Sequence, residues 1–277
     1  MYKLVSTEWL AARIGADDVI ILDATMHLPD SGRDAQAEFG QRHIPGARFL
    51  DLATLTDPDS SVPKAMPTAE QFADRMRELG VARGARIVLY DDSDIRSAAR
   101  AWFLFDHAGE PKVAVLDGGL AKWIAEGRQV DEGNPAHAPR DYPEPHMRRD
   151  VRGKQDIIDA IEKGDAQLVD ARDAARFAGE EGSGSEGHIP GAVNVPFARL
   201  LNEDGTYRSS DEIRDIFESA GVDLDKPVVT SCNSGMTACV LLFALELAGK
   251  DNVALYDGSW MEWGADPDTP KARGSAG

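Results

Sequence analysis

His43-Ile44-Pro45-Gly46-Ala47 and His188-Ile189-Pro190-Gly191-Ala192 are the same five residues met twice, 145 positions apart, in a chain of 277. Their surroundings repeat as well. Upstream, Asp23-Ala24-Thr25 and Asp170-Ala171-Arg172 each close an apolar run, Val19 to Leu22 in one case and Leu168-Val169 in the other. Downstream, Thr68-Ala69-Glu70-Gln71 and Ser209-Ser210-Asp211-Glu212 both read as capping boxes that open a helix. Apolar residues at helical spacing follow (Phe72, Met76, Leu79; Ile213, Ile216, Phe217), and the helices are predicted to stop at Gly80-Val81 and Gly221-Val222. Next come an apolar strand, Arg86 to Tyr90 or Pro227 to Ser231, and a second helix ending in His107-Ala108-Gly109 or Leu247-Ala248-Gly249. A last strand runs into Asp117-Gly118-Gly119 and Asp257-Gly258-Ser259, with Trp123 and Trp263 placed alike. The separation of matching landmarks drifts only between 147 and 140 residues, as loop-length changes between duplicated domains produce.

Short apolar strands alternating with helices predict an α/β fold. Each half should be a mostly parallel sheet with helices on both faces. The repeat places one domain at 1–130 and the other at 150–277. The stretch between them, 131–149, carries Pro135, Pro139, Pro143 and Pro145 and reads as an extended linker laid over the surface. The polar segment from Asp266 to Gly277 is expected to be a short mobile tail.

Composition excludes several classes of function. The chain is 42% hydrophobic and 28% charged, with a net charge of -18, and so acidic a surface repels phosphate backbones, making nucleic acid a poor partner. No apolar run has the length of a signal peptide or a membrane span, so the cytoplasm is the expected location and no membrane partner is expected. The two cysteines, Cys232 and Cys239, fit no zinc or redox spacing. On one helix they would lie about two turns, ~10 Å, apart, beyond disulfide reach. Neither a metal nor an organic cofactor is expected.

The halves disagree at one place. After its central strand the second half reads Cys232-Asn233-Ser234-Gly235-Met236-Thr237-Ala238; the first reads Asp91-Asp92-Ser93-Asp94-Ile95-Arg96-Ser97-Ala98. A thiol therefore stands at the carboxyl end of one strand where its twin has a carboxylate. Ligands of parallel α/β sheets bind beyond those carboxyl ends. A short loop entering a helix N-terminus turns several backbone N–H groups inward, and such a nest stabilises an anion. The thiolate is the nucleophilic form of cysteine. Gly235 would permit the tight loop backbone. Cys239, among Val240, Leu241, Leu242 and Phe243, reads instead as packing.

The paired motifs, the Asp257-Gly258-Ser259-Trp260 run and the six-residue loop opening on a single cysteine resemble the tandem-domain rhodaneses, over about Thr7 to Gly264. The resemblance implies two rhodanese-like domains, the first without a catalytic cysteine, and a sulfurtransferase that carries sulfur as a persulfide on Cys232. Members that use thiosulfate typically read Cys-Arg-Lys-Gly-Val-Thr in this loop, and those that use 3-mercaptopyruvate typically read Cys-Gly-Ser-Gly-Val-Thr. Ser234 and the absence of basic residues side with 3-mercaptopyruvate as the small-molecule donor. Thiosulfate is the alternative, and a non-enzymatic binding module a more distant one. The acceptor would be a thiol, a thioredoxin-type protein or cyanide. A phosphatase with a Cys-x5-Arg loop is disfavoured, because the sixth residue after Cys232 is Ala238.

Carried over residue by residue, the resemblance makes Cys232 the nucleophile and Ser234, His43 and Asp34 the proton relay, with Asp51 a possible substitute for Asp34. Arg176 would clamp the donor carboxylate, as a planar guanidinium suits. Asn233, Gly235, Met236 and Thr237 would line the loop and hold the persulfide through their N–H groups. Arg172 reads as a bridge between loops. His188 occupies in the second domain the place His43 has in the first, so it separates a catalytic histidine from one that merely holds a turn; both readings of His43 stay open here. Two departures stand out: Ala178 to Gly187 lacks the second substrate arginine of the mercaptopyruvate group, and Asn233 replaces the usual glycine.

Overall fold

The strands form where the apolar runs place them, and the computed structural model, which describes residues 2–148 and 151–274, turns the sequence repeat into two sheets of the same topology. The first sheet grows from β1 (Leu4–Val5), α1 (Thr7–Ala11), β2 (Val19–Asp23), α2 (Ala35–Gln41), β3 (Arg48–Phe49), α3 (Ala69–Glu78), β4 (Arg86–Tyr90), α4 (Ala98–His107), β5 (Val113–Leu116) and α5 (Gly119–Ala125). The second grows from β6 (Val151–Arg152), α6 (Lys154–Lys163), β7 (Gln167–Asp170), α7 (Ala174–Ala178), β8 (Val193–Asn194), α8 (Ser210–Ser219), β9 (Val228–Ser231), α9 (Ala238–Leu247), β10 (Val253–Tyr256) and α10 (Ser259–Ala265). Strand orders are β1-β5-β4-β2-β3 and β6-β10-β9-β7-β8, with every pairing parallel. By contacts the chain divides into one unit of Met1–Asp57, Met66–Arg149 and Glu203–Thr206 and another of Pro58–Ala65, Asp150–Asn202 and Tyr207–Gly277. No helix among the described residues is long and apolar enough to cross a membrane.

The helices start where their caps predict. Thr68 and Gln71 cap each other at α3, and Ser209 and Glu212 do so at α8. The strands are apolar on both faces because helices cover both. In the first unit, Ile21, Val88, Tyr90, Ala114 and Leu116 pack with Leu10, Phe39, Leu120 and Trp123 from α1, α2 and α5. Phe72 of α3 meets Phe105 of α4 edge-on at 5.2 Å, and α4 lies against β4 and β5. In the second unit, Leu168, Val229, Ala254 and Tyr256 pack with Ile157, Phe177, Trp260 and Trp263, while α9 covers β9 and β10. Register is shared: Asp23 pairs with Tyr90 and Asp170 with Ser231, so Asp91 and Cys232 follow equivalent strand ends.

The last residues behave differently from the expected mobile tail. As far as Gly274 they are bonded into the second unit: the Trp263 indole donates to the Pro270 carbonyl at 2.8 Å, and His188 and Ala272 exchange both backbone bonds at 2.9 Å. The first unit does the same with the start of the linker, where Trp123 donates to the Gln129 carbonyl at 2.8 Å and His43 exchanges both bonds with Asp131 at 2.9 Å. The supposed tail is thus the second copy of a closing segment, held by backbone groups that leave no mark in composition. Further along, Tyr142 is fully buried, donates its hydroxyl to Glu110 at 2.5 Å and ties the proline-rich stretch to the first unit.

The two motif histidines have one construction. Both are buried; His43 stacks on Phe39 and donates from Nδ1 to the Phe39 carbonyl at 2.9 Å, and His188 stacks on Phe177 and donates to the Phe177 carbonyl at 2.7 Å. His43→Asn and His188→Asn should therefore destabilise the protein comparably, each by about 1–3 kcal/mol. A loss of Tm in one variant and not in the other, measured by calorimetry, would show that the two histidines do not serve the same structural need.

The first sheet also ends in buried carboxylates. Burial pushes Asp23 and Asp91 up to about 6, against the hydrogen bonds from Thr25 and from the Ala98 N–H that lower them. A folded-state pKa above the unfolded value gives stability that is present at low pH and lost as pH rises through about 6. Thermal melts should accordingly show Tm rising as pH falls from 7.5 to 5.5, and Asp91→Asn should shrink that rise. A Tm that falls across this window in the parent protein would contradict the assignment.

Candidate active site

Cys232 follows the last residue of β9 and is buried; from it the loop Cys232–Thr237 climbs to the N-terminus of α9. Gly235 takes φ +75°, in the left-handed region open to glycine, and this makes the sharp turn in mid-loop. The loop backbone is stitched to α10: the Trp260 N–H donates to the Cys232 carbonyl at 3.1 Å and the Met261 N–H to the Asn233 carbonyl at 2.8 Å. The Ser259 hydroxyl receives the N–H groups of Cys232 (3.1 Å) and Gly235 (3.2 Å) and donates to the Tyr256 carbonyl (2.8 Å). Among the described residues, the N–H groups of Asn233, Ser234, Met236, Thr237 and Ala238 donate to no protein acceptor, and no side chain caps α9. The loop that begins at the thiol thus carries unpaired donors and leads into the positive end of a ten-residue helix.

The twin loop shows what such donors want. In the first unit the Asp91 carboxylate bends back into its own loop and accepts from the Ala98 N–H at 2.6 Å and the Ser93 N–H at 3.4 Å. Ser93 and Ser97 are locked to each other at 3.0 Å, and Ser97 donates to the Ala24 carbonyl at 2.7 Å. By position, the donors that hold this carboxylate correspond to those of Ser234 and Ala238. Where the first unit holds its own anion, the second has no carboxylate, and among the described residues the hydroxyls of Ser234 and Thr237 make no bond.

The other predicted residues fall into two groups. Arg176 lies on α7, after the strand that neighbours β9, with its side chain about half exposed and a single acidic neighbour, Asp173, at 3.5 Å. Asn233 is exposed, and Ser234, Met236 and Thr237 are half-buried. Arg172 is the loop bridge the sequence indicates: buried, it grips both oxygens of Asp170, reaches Ser185 and the Gly187 carbonyl, and lies 4.8 Å over the Trp260 ring. It thereby closes the segment that lacks the second arginine. Burial raises the Asp170 carboxyl, and Arg172 opposes that rise. His43, Asp34 and Asp51 belong to the first unit. His43 holds the turn described above, Asp34 caps α2 through the Ala37 N–H at 3.0 Å, and Asp51 accepts the Ala53 N–H at 2.9 Å.

Ser259 is the residue that sequence reasoning passed over. It has φ +50°, a conformation that costs a residue other than glycine roughly 1–2 kcal/mol. The signal was present in the repeat, where Gly119 stands opposite Ser259 at the matching helix start with φ +58°. Glycine in one copy opposite serine in the other marks a position that glycine would fill more easily.

Comparison with known proteins agrees with this architecture. The Rhodanese-like domain family matches residues 6–126 and 154–266. The chain is 40% identical to the 3-mercaptopyruvate sulfurtransferase of Mus musculus, over 94% of this chain and 91% of that protein. It is 37% identical to the thiosulfate sulfurtransferase of Bos taurus, over 99% and 96%. The crystal structure of the 3-mercaptopyruvate sulfotransferase SseA from Escherichia coli superposes with a TM-score of 0.87 at 39% identity, covering 94% of this chain and 99% of that one. With matches in both halves and relatives along nearly its whole length, the chain belongs to the rhodanese-like family as a tandem of two such domains.

Proposed function

We propose that this protein is a 3-mercaptopyruvate sulfurtransferase that works through a persulfide on Cys232. The observation that carries the reading is a buried cysteine among unpaired backbone N–H donors, in a loop whose side chains carry no positive charge. The Cys232 thiolate attacks the sulfur of 3-mercaptopyruvate, the carbon–sulfur bond breaks, and its electron pair passes to the carbon framework as the enolate of pyruvate. The half-buried hydroxyl of Ser234, one residue beyond Asn233, relays the proton: it protonates the enolate to pyruvate and regains a proton from the outer sulfur, which leaves the persulfide as the anion. The persulfide anion then rests on the N–H groups of Ser234, Met236, Thr237 and Ala238. The geometry of the twin loop supports this, since equivalent donors there hold a carboxylate. A thiol, a thioredoxin-type protein or cyanide attacks the outer sulfur and restores the thiolate. Covalent transfer in two halves implies ping-pong kinetics.

Arg176 supplies the charge for the donor carboxylate, because among the described residues its guanidinium pairs with one exposed aspartate, Asp173. Asn233 places a neutral amide beside the nucleophile where a dianion would need a cation. The mechanism as drawn needs neither His43, whose Nδ1 is held by the Phe39 carbonyl, nor Asp34, whose Oδ1 accepts the Ala37 N–H. Thiosulfate is the second reading, favoured by the 37% identity to a thiosulfate sulfurtransferase.

Cys232→Ser should abolish transfer and Cys239→Ser should leave it within a few-fold, since Cys239 is buried on α9 with its thiol on the Gly235 carbonyl at 3.2 Å. Intact-protein mass spectrometry after donor treatment should find one added sulfur, on Cys232; sulfur on Cys239 would end the proposal. Parallel kinetics with one acceptor should give kcat/KM at least about tenfold higher for 3-mercaptopyruvate than for thiosulfate, ~1.4 kcal/mol in transition-state binding. Asn233→Arg with Ser234→Lys should move the balance toward thiosulfate. Equal or thiosulfate-favouring values in the parent protein would overturn the donor and leave the family standing.

A further inference from the structure

We infer that Ser259 is a positioning residue for sulfur transfer, holding the Cys232 loop in its reactive shape through the backbone of Cys232 and Gly235. The inference rests on Cys232 as the nucleophile and not on which donor it attacks.

Three observations lead to it. Ser259 adopts φ +50°, a backbone that favours glycine, and the matching residue of the first unit is glycine at φ +58°. The fold therefore accepts glycine at the start of this helix; in the first unit it requires it, since a Cβ on Gly119 would come within 2.3 Å of the Asp91 carbonyl oxygen. Backbone geometry gives no reason for serine, so the reason lies in the hydroxyl. That hydroxyl is buried, with all its bonds directed to the loop and to the strand end that supports it: the Cys232 and Gly235 N–H groups enter it, and it donates to the Tyr256 carbonyl.

The twin explains why the tie is needed. Asp91 secures its own loop, because its carboxylate binds the Ser93 and Ala98 N–H groups. A nucleophilic cysteine cannot do this, since its sulfur must stay free to attack and to carry the transferred atom. Ser259 ties the loop from outside at two points, one at the cysteine and one at the left-handed turn. The remaining N–H groups stay aimed at the place where the sulfur anion forms. Pre-organised donors of this kind contribute most when they need not reorganise during reaction.

Two substitutions separate the hydroxyl from the strain. Ser259→Gly removes both, and Ser259→Ala removes only the hydroxyl. Tm should stay level or rise in Ser259→Gly and fall in Ser259→Ala. Single-turnover persulfide formation on Cys232, followed by rapid quench and mass spectrometry, should slow at least about tenfold in both variants. The slowing should be similar with 3-mercaptopyruvate and with thiosulfate, and it should lie in the rate at saturation, with the half-saturating concentration changed less than about threefold. A Ser259→Gly protein that forms persulfide within about twofold of the parent rate would overturn the inference. So would losses that follow Tm, with Ser259→Ala slow and Ser259→Gly fast. If Ser259→Ala does not fold, Ser259→Gly alone decides, because glycine is what the first unit already carries there. A parent protein that prefers thiosulfate would correct the donor and leave the Ser259 comparison intact.

Discussion

Backbone N–H groups gathered at the end of a central parallel strand must find an acceptor, and both halves of this protein are organised by how that demand is met. In the first unit the acceptor is the Asp91 carboxylate, at the cost of burying a charge beside Asp23; burial holds both well above the ordinary aspartate range. In the second unit a thiol occupies the same strand end and leaves most of the donors open. The surrounding architecture serves this difference. Apolar strands covered on both faces fix where the loop begins, and the helix after it sets the direction of the field. Two loops at equivalent strand ends thus differ: one binds its own carboxylate, and in the other the N–H groups of Asn233, Ser234, Met236, Thr237 and Ala238 have no protein acceptor among the described residues.

Much of this was legible in the sequence because the chain supplies its own comparison. The repeated capping boxes at Thr68 and Ser209 located α3 and α8, and the landmarks on either side located β2, β4, β7 and β9 along the chain. The exchange of Asp91 for Cys232 pointed to the loop before any coordinate did. Arg172 could be read as a bridge because it directly follows a strand end. Less could be read where the decisive bonds belong to the backbone. Pro270 and Ala272 hold the end of the second unit through carbonyl and amide groups that every residue possesses, so a polar composition suggested mobility instead. Tyr142 was hidden in the same way, a lone aromatic within a proline-rich stretch.

The histidines show the opposite difficulty. A motif found twice can mark one catalytic copy and one relic, or a structural need common to both, and sequence alone kept both readings of His43. The stacking partners and Nδ1 acceptors of His43 and His188 match atom for atom, which is what a shared structural need produces. Ser259 reversed the lesson, because there the difference between copies carried the information, and it became visible only once the left-handed backbone at Gly119 was known.

The closing segment that ends at Gly274 also bears on how the protein is made. His188 cannot exchange its backbone bonds, nor Trp263 place its indole, until Pro270 and Ala272 have left the ribosome. The corresponding partners in the first half, Gln129 and Asp131, emerge 141 residues earlier. Domains generally fold in the order they are synthesised, so the first half can close on Gln129 and Asp131 while the half that carries Cys232 is still being made.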